Sequence, residues 1–188
     1  MTLLVKRYNA IRIMKTALPL LTFCAVLGIL SGLALDTFKS ILFTFPGLFV
    51  LIPVTIGMGG NLGAILSSRI TSALHLGVIS LTPTDPVLRS DVLGVSIVGV
   101  LSFFAIGILG HLFCVLMGFE SVGLIKMVLI SSISGVLLIL IVIITTVLAA
   151  FLSYKKGIDP DDTTIPIVTS VCDVFGILIL FVVIMAVL

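Results

Sequence analysis

The sequence predicts an all-α membrane protein with five transmembrane helices, and three observations carry that reading. Of its 188 residues, 60% are hydrophobic and 10% charged, more apolar surface than a soluble domain of this length can hide. The apolar residues fall into runs long enough to cross a hydrocarbon core about 30 Å thick. Short stretches rich in Pro, Asp and Lys separate the runs, as loops between spans do. No basic cluster reads as a nucleic-acid patch, so nucleic acid is not an expected partner; membrane lipid is.

The first helix is expected over 16–35, behind Lys6, Arg7, Arg12 and Lys15. Its apolar run is too long for a signal-peptide core and long enough to span. Gly28 and Gly32 have the four-residue spacing that lets membrane helices approach closely. Residues 1–15 are expected to form a cytoplasmic, interfacial segment, and 16–188 the transmembrane domain. The second segment, 41–75, is long: about 35 residues reach about 50 Å. With Pro46 and Pro53 in it, it reads as one long kinked helix. A loop at 80–91 precedes a third helix over 92–117, a fourth over 123–153 and a fifth over 165–187.

Orientation follows from the basic residues. Lys6, Arg7, Arg12, Lys15, Arg69, Arg89, Lys155 and Lys156 fall on one side, Lys39 and Lys126 on the other. The positive-inside rule then puts the amino terminus in the cytoplasm and, with five spans, the carboxyl terminus outside. Cys24, Cys114 and Cys172 sit among aliphatic residues and read as small packing residues.

Two places interrupt the apolar pattern. The stretch "PVTIGMGGNLGAILSSRITSALHLG", 53–77, puts Gly57, Gly59, Gly60 and Asn61 inside a span. Glycines there serve either a packing notch between helices or a break that turns backbone carbonyls toward an ion. The second place is Asp173, about ten residues into the last span. A carboxylate at that depth is costly unless paired or hydrated, and marks a functional site by default. Thr169 and Ser170 precede it by four and three residues, on the same helical face. The competing reading is a protonated acid bonded to Ser131 or Ser134. Asp159, Asp161 and Asp162 form an acidic cluster at the cytoplasmic mouth, and Asp36 ends the first helix at the outer side; either is a pore mouth or a solvated surface. His111 reads as bonded to a neighbour. No nucleophile–base pair, phosphate loop or zinc spacing is present, so no enzyme activity is expected.

These residues carry a family resemblance. The 53–77 stretch, with its proline, the pair Gly60–Asn61 and the trailing "SSRITSAL", resembles the signature of the MgtE magnesium channels and of solute carrier family 41. "DPDDTTIPIVTSVCDVFG", 159–176, is similar to the family segment that ends at an intramembrane aspartate. The resemblance covers about 16–188. It implies divalent cation transport, with Mg²⁺ as the favoured cargo, through a pore between two copies lined by the second and fifth helices. The ion-facing residues it implies are Asp173, Asn61, Gly60 and Gly59, and the helix is expected to break at Gly59-Gly60-Asn61 so that backbone carbonyls and Asn61 face the ion. Gly63-Ala64-Ile65 departs from the Gly-Thr-Gln of the bacterial channels and stands closer to the solute-carrier branch. One five-helix unit is expected, without cytosolic sensor domains. The alternatives are a sodium- or proton-coupled exchanger, or a non-transporting membrane scaffold.

Overall fold

The computed structural model describes residues 10–80, 82 and 84–188. The expected interfacial segment therefore lies largely outside the described residues. Six α-helices follow in order: α1 (Ala10–Thr37), α2 (Lys39–Thr44), α3 (Leu51–His75), α4 (Pro86–Met117), α5 (Leu124–Lys155) and α6 (Pro160–Val187), with a 3₁₀ turn at Pro46–Val50 between α2 and α3. There is no strand among the described residues. Among the described residues five segments are long and apolar enough to cross a membrane: Ala17–Thr37, Pro46–His75, Pro86–Met117, Leu124–Lys155 and Pro160–Val187. The protein is a multi-pass integral membrane protein.

The second membrane segment bends at Phe45–Pro46. Phe45 leaves the helix at φ −129°, ψ 79°, because the ring of a following proline disfavours helical backbone. Freed backbone groups in a membrane need partners, and the α4–α5 connection supplies them. The Gly47 N–H donates to the Glu120 carbonyl at 3.0 Å, and the Cys114 thiol donates to the Gly47 carbonyl at 3.6 Å. Only a glycine fits this approach: a methyl at residue 47 would stand 2.7 Å from the Glu120 oxygen.

The expected helix break at Gly59-Gly60-Asn61 is not there. α3 runs unbroken from Leu51 to His75, so its backbone carbonyls stay committed to the helix. Pro53 lies in its first turn, where a missing N–H costs nothing. The glycines instead let α3 sink between α5 and α6. A methyl on Gly59 would stand 2.8 Å from Leu138 Cδ2 and 3.1 Å from Cys172 Sγ. One on Gly60 would meet Thr169 Cγ2 at 3.2 Å, and one on Gly63 would collide with Val168. These contacts set α3 parallel to α5 and antiparallel to α6. Gly28 and Gly32 differ: nothing among the described residues lies within 4 Å of a methyl at either, so that spacing serves no contact among them.

α6 is the central helix, packed against α1, α3 and α5. It begins earlier than expected, at Pro160, as α4 does at Pro86. Both starts read Asp-Pro. Asp85 and Asp159 accept bonds from the first free N–H groups of their helices, and proline fills the first helical position, where no N–H is needed. The helices also end alike. Gly77, Gly118 and Gly157 have φ near +70°, and the residue after each returns its N–H to a carbonyl of the last turn, the arrangement that closes a helix.

This topology gathers the charges at two ends. Lys15, Arg69, Arg89, Lys155 and Lys156 fall at the end where α3 and α5 finish and α1, α4 and α6 begin; Lys39 and Lys126 fall at the other.

The close contacts predict a contrast. Gly63→Ala and Gly135→Ala, the second against the Phe103 ring, each lower stability by about 1–3 kcal/mol through overpacking. Gly28→Ala and Gly32→Ala are neutral or gain up to about 1 kcal/mol of helix propensity. Thermal unfolding in detergent measures both. The Asp85 cap predicts a pH dependence. Its carboxyl is held below the usual range, chiefly by the Ser80 N–H, then by the Ser80 hydroxyl, with smaller help from Leu88 and Val87 and against its desolvation. A depressed folded value means the stabilisation is full above the usual Asp range, near pH 4, and is lost as pH falls through the lowered value. The stability gap between the parent and Asp85→Ala is therefore expected to stay constant from about pH 7 to 5 and close only in stronger acid.

Candidate functional site

α6 carries a polar stripe along an otherwise apolar helix. Asp162, Thr169 and Asp173 recur at helical spacing, and span about 16 Å along the axis. Asp162 is exposed in the first turn of α6, Thr169 and Asp173 are half-buried, and Ser170 is buried. No donor among the described residues lies within hydrogen-bond or ion-pair reach of the Asp173 carboxylate. What touches Asp173 is its backbone: the Ser31 hydroxyl of α1 donates to the Asp173 carbonyl at 2.7 Å. The alternative partners are engaged elsewhere or unpaired. Ser131 donates to the Phe103 carbonyl at 2.7 Å, and the buried Ser134 hydroxyl has no partner among the described residues.

Thr169 returns its hydroxyl proton to the carbonyls of Ile165 and Pro166, both at 3.0 Å. This leaves an oxygen lone pair open and fixes the rotamer, with the methyl against Gly60. Gly60 and Thr169 thus meet, at a level one helical turn from Asp173 toward the His75 end. Asn61 comes next on α3 and is exposed, and it belongs to an exposed arc with Gly57, Ser68 and Ser72. Gly59 faces the other way, into Leu138 and Cys172. It is a packing residue, and its backbone is not presented to an ion.

The mouth candidates lie at opposite ends. Asp159 caps α6, receiving the Asp161 N–H at 3.2 Å, and its carboxylate stands 3.8 Å from His75 Nε2 at the end of α3. Asp36 sits at the far end, in an exposed pair with Lys39 at 2.8 Å. An exposed pair of this kind contributes little stability. His111, expected to bond a neighbour, has Ser121 at 2.9 Å. Among the described residues no three His, Cys, Asp or Glu side chains gather closely enough to hold a metal ion.

Sequence reasoning missed one pair. Asp91 was expected in a loop; it lies on α4, with its side chain only 5% exposed. Arg69 of α3 donates through Nε to its Oδ1 at 2.6 Å, and Nη2 forms an ion pair with the same oxygen at 2.6 Å. The pair borders a cavity of about 380 Å³ between α3 and α4, lined also by Leu62, Ile65, Ser90 and Gly94. The Asp-Pro start at 85–86 was the available signal, since it moves residue 91 two turns inside the helix.

With the bundle, the α6 stripe and the α3 arc in place, the comparison with known proteins is direct. Residues 52–183 match the family model for MgtE, described as a divalent cation transporter. The chain belongs to the MgtE family. It is also similar to solute carrier family 41 member 3 of Mus musculus, 30% identical over 146 residues, and of Rattus norvegicus, 32% identical over 147 residues. Each alignment covers 70% of this chain and 30–31% of the relative, so the chain spans about three tenths of those proteins' length. The matched region runs from α3 to near the end of α6, and so contains both Asn61 and Asp173.

Proposed function

We propose that the protein moves divalent cations, with Mg²⁺ the favoured cargo, along a path between two copies of the chain, and that Asp173 is its central ion contact. The observation that carries this reading is the Asp173 carboxylate, half-buried in mid-span with no partner among the described residues. A charge at that depth must be compensated, and a passing cation with its water shell supplies the compensation. The polar arc of α3, with Asn61 one turn away, supports the same face as the wall of the path. So does Thr169, whose open lone pair can accept a hydrogen bond from a metal-bound water.

Two copies fit the stoichiometry of the site. One chain offers one such carboxylate, and a two-fold axis beside α6 brings a second to the same ion. Mg²⁺ sheds its water reluctantly and is held through few direct ligands. A wide opening with two carboxylates and neutral oxygens suits a hydrated divalent ion better than a bare monovalent one. The cytoplasmic side is assigned to the end that holds Lys15, Arg69, Arg89, Lys155 and Lys156, by the positive-inside rule. Asp159 and Asp162 then stand at the inner mouth and Asp36 at the outer end.

The test is transport by purified protein in liposomes. Attraction between a divalent ion and one carboxylate at about 5 Å is roughly 6–7 kcal/mol at an effective dielectric constant near 20. Desolvation offsets much of this. A residual of about 1.4 kcal/mol still changes occupancy tenfold, so Asp173→Asn is expected to lower Mg²⁺ flux by at least about tenfold while the protein stays folded. Asn61→Ala removes only a neutral dipole, and its loss is expected to be smaller. Mass measurement in native lipid should find two chains, and undiminished flux through folded Asp173→Asn sinks the assignment. The orientation is checked separately. Cysteines introduced at Ser90 and Ser121, in a background without Cys24, Cys114 and Cys172, should label from opposite faces of the membrane, Ser90 from the cytoplasm.

A further inference from the structure

Arg69 and Asp91 form a charge pair beside the polar arc of α3. Arg69 lies two helical turns beyond Asn61, about 12 Å along the axis toward the His75 end. Ser68 and Ser72 occupy the arc at that level, and Arg69 sits on its flank, turned toward α4. The two partners are held differently. The Asp91 side chain is 5% exposed and fixed within the packed start of α4, whereas the Arg69 side chain is 61% exposed. The guanidinium is therefore the member with open space around it, and a single carboxylate oxygen takes both of its close contacts.

We propose that Arg69 is a positively charged barrier at one end of the ion path and that Asp91 is the positioning residue that draws it aside. The pair then sets how easily divalent cations enter or leave at that end. This rests on the reading of Asp173 and the α3 arc as the ion path. The physical argument is one of charge separation. While the pair is closed, a cation on the arc meets a positive and a negative charge close together, and their fields nearly cancel. Once the carboxylate is lost, the arginine stem can carry a full positive charge toward Ser68 and Ser72. A bare unit charge within about 10 Å of a divalent ion, at a dielectric between those of protein and water, changes the local ion concentration by about tenfold.

The pair is a different kind of element from a strut between α3 and α4, and substitution patterns separate the two. In liposomes containing the full chain, Asp91→Asn keeps size and hydrogen-bonding capacity and frees the guanidinium. It is expected to lower flux at subsaturating Mg²⁺ by about tenfold, less so as ionic strength rises. Arg69→Gln removes the barrier and is expected to raise flux. The double variant Arg69→Gln/Asp91→Asn is expected to recover to within about twofold of the parent, because the charge that obstructs is gone. A strut predicts instead that both single variants lose flux and that the double is no better. The proposal is overturned if folded Asp91→Asn transports like the parent, if Arg69→Gln loses flux, or if the double stays as low as Asp91→Asn. Should Asp91→Asn fail to fold, Arg69→Gln alone still decides, since any fall in its flux contradicts a barrier. Asp173→Asn run alongside separates the two readings. Loss of flux there with a silent Asp91→Asn removes only the barrier, and normal flux there removes the ion path on which the barrier depends.

Discussion

The close approach of α3 to α5 and α6 is the constraint on which the rest of the bundle depends. Lipid tails are as apolar as leucine, so membrane helices gain little from burying greasy side chains against one another and associate through contact and hydrogen bonds. Gly59, Gly60 and Gly63 remove the side chains that would hold α3 away, and Leu138, Thr169, Cys172 and Val168 fill the space. That contact fixes the level of Asn61 relative to Asp173, and it leaves exposed the opposite arc of α3, where Asn61, Ser68 and Ser72 stand among Val54 and Ile65. The same notch therefore builds the core on one side and shapes the candidate ion path on the other.

Backbone accounting explains the remaining features. A segment that bends inside a membrane exposes peptide groups that water cannot reach. The bend at Pro46 survives because the α4–α5 connection folds over it and takes up the Gly47 N–H. The helix ends that face solvent are closed by Asp-Pro starts and left-handed glycine stops. Polar atoms are spent where geometry requires them, and the carboxylate of Asp173 stands out as the one deep charge to which no helix of the described chain responds.

Much of this was legible in the sequence, for reasons that are themselves local. Hydropathy, chain length and the placing of Lys and Arg are additive properties, so the five spans and the two charged ends emerge directly. Asp173 is legible because its environment is improbable for its chemistry. The glycines were legible as a signal but ambiguous in meaning, since a run such as Gly57–Asn61 serves a break as readily as a notch. What decides is the shape of the neighbouring helices, which lies more than seventy residues away at Leu138 and Val142. The Arg69–Asp91 pair was hidden for the same reason. Each residue looked like part of a solvated end until α3 and α4 were set side by side. The early starts of α4 and α6 could have been found from Asp85-Pro86 and Asp159-Pro160 alone.

The order of the helices has a consequence for what the last of them holds. Inside the chain, α1 packs against α6 and, at its end, α2, and the Ser31 bond ties it to the backbone of Asp173. Four helices of sequence separate α1 from α6, so its main partner is also its most distant one along the chain. Within this chain, α6 therefore carries the acid, the filling of the groove between α3 and α5 and the mooring of α1 together, and a variant cut before α6 loses all three.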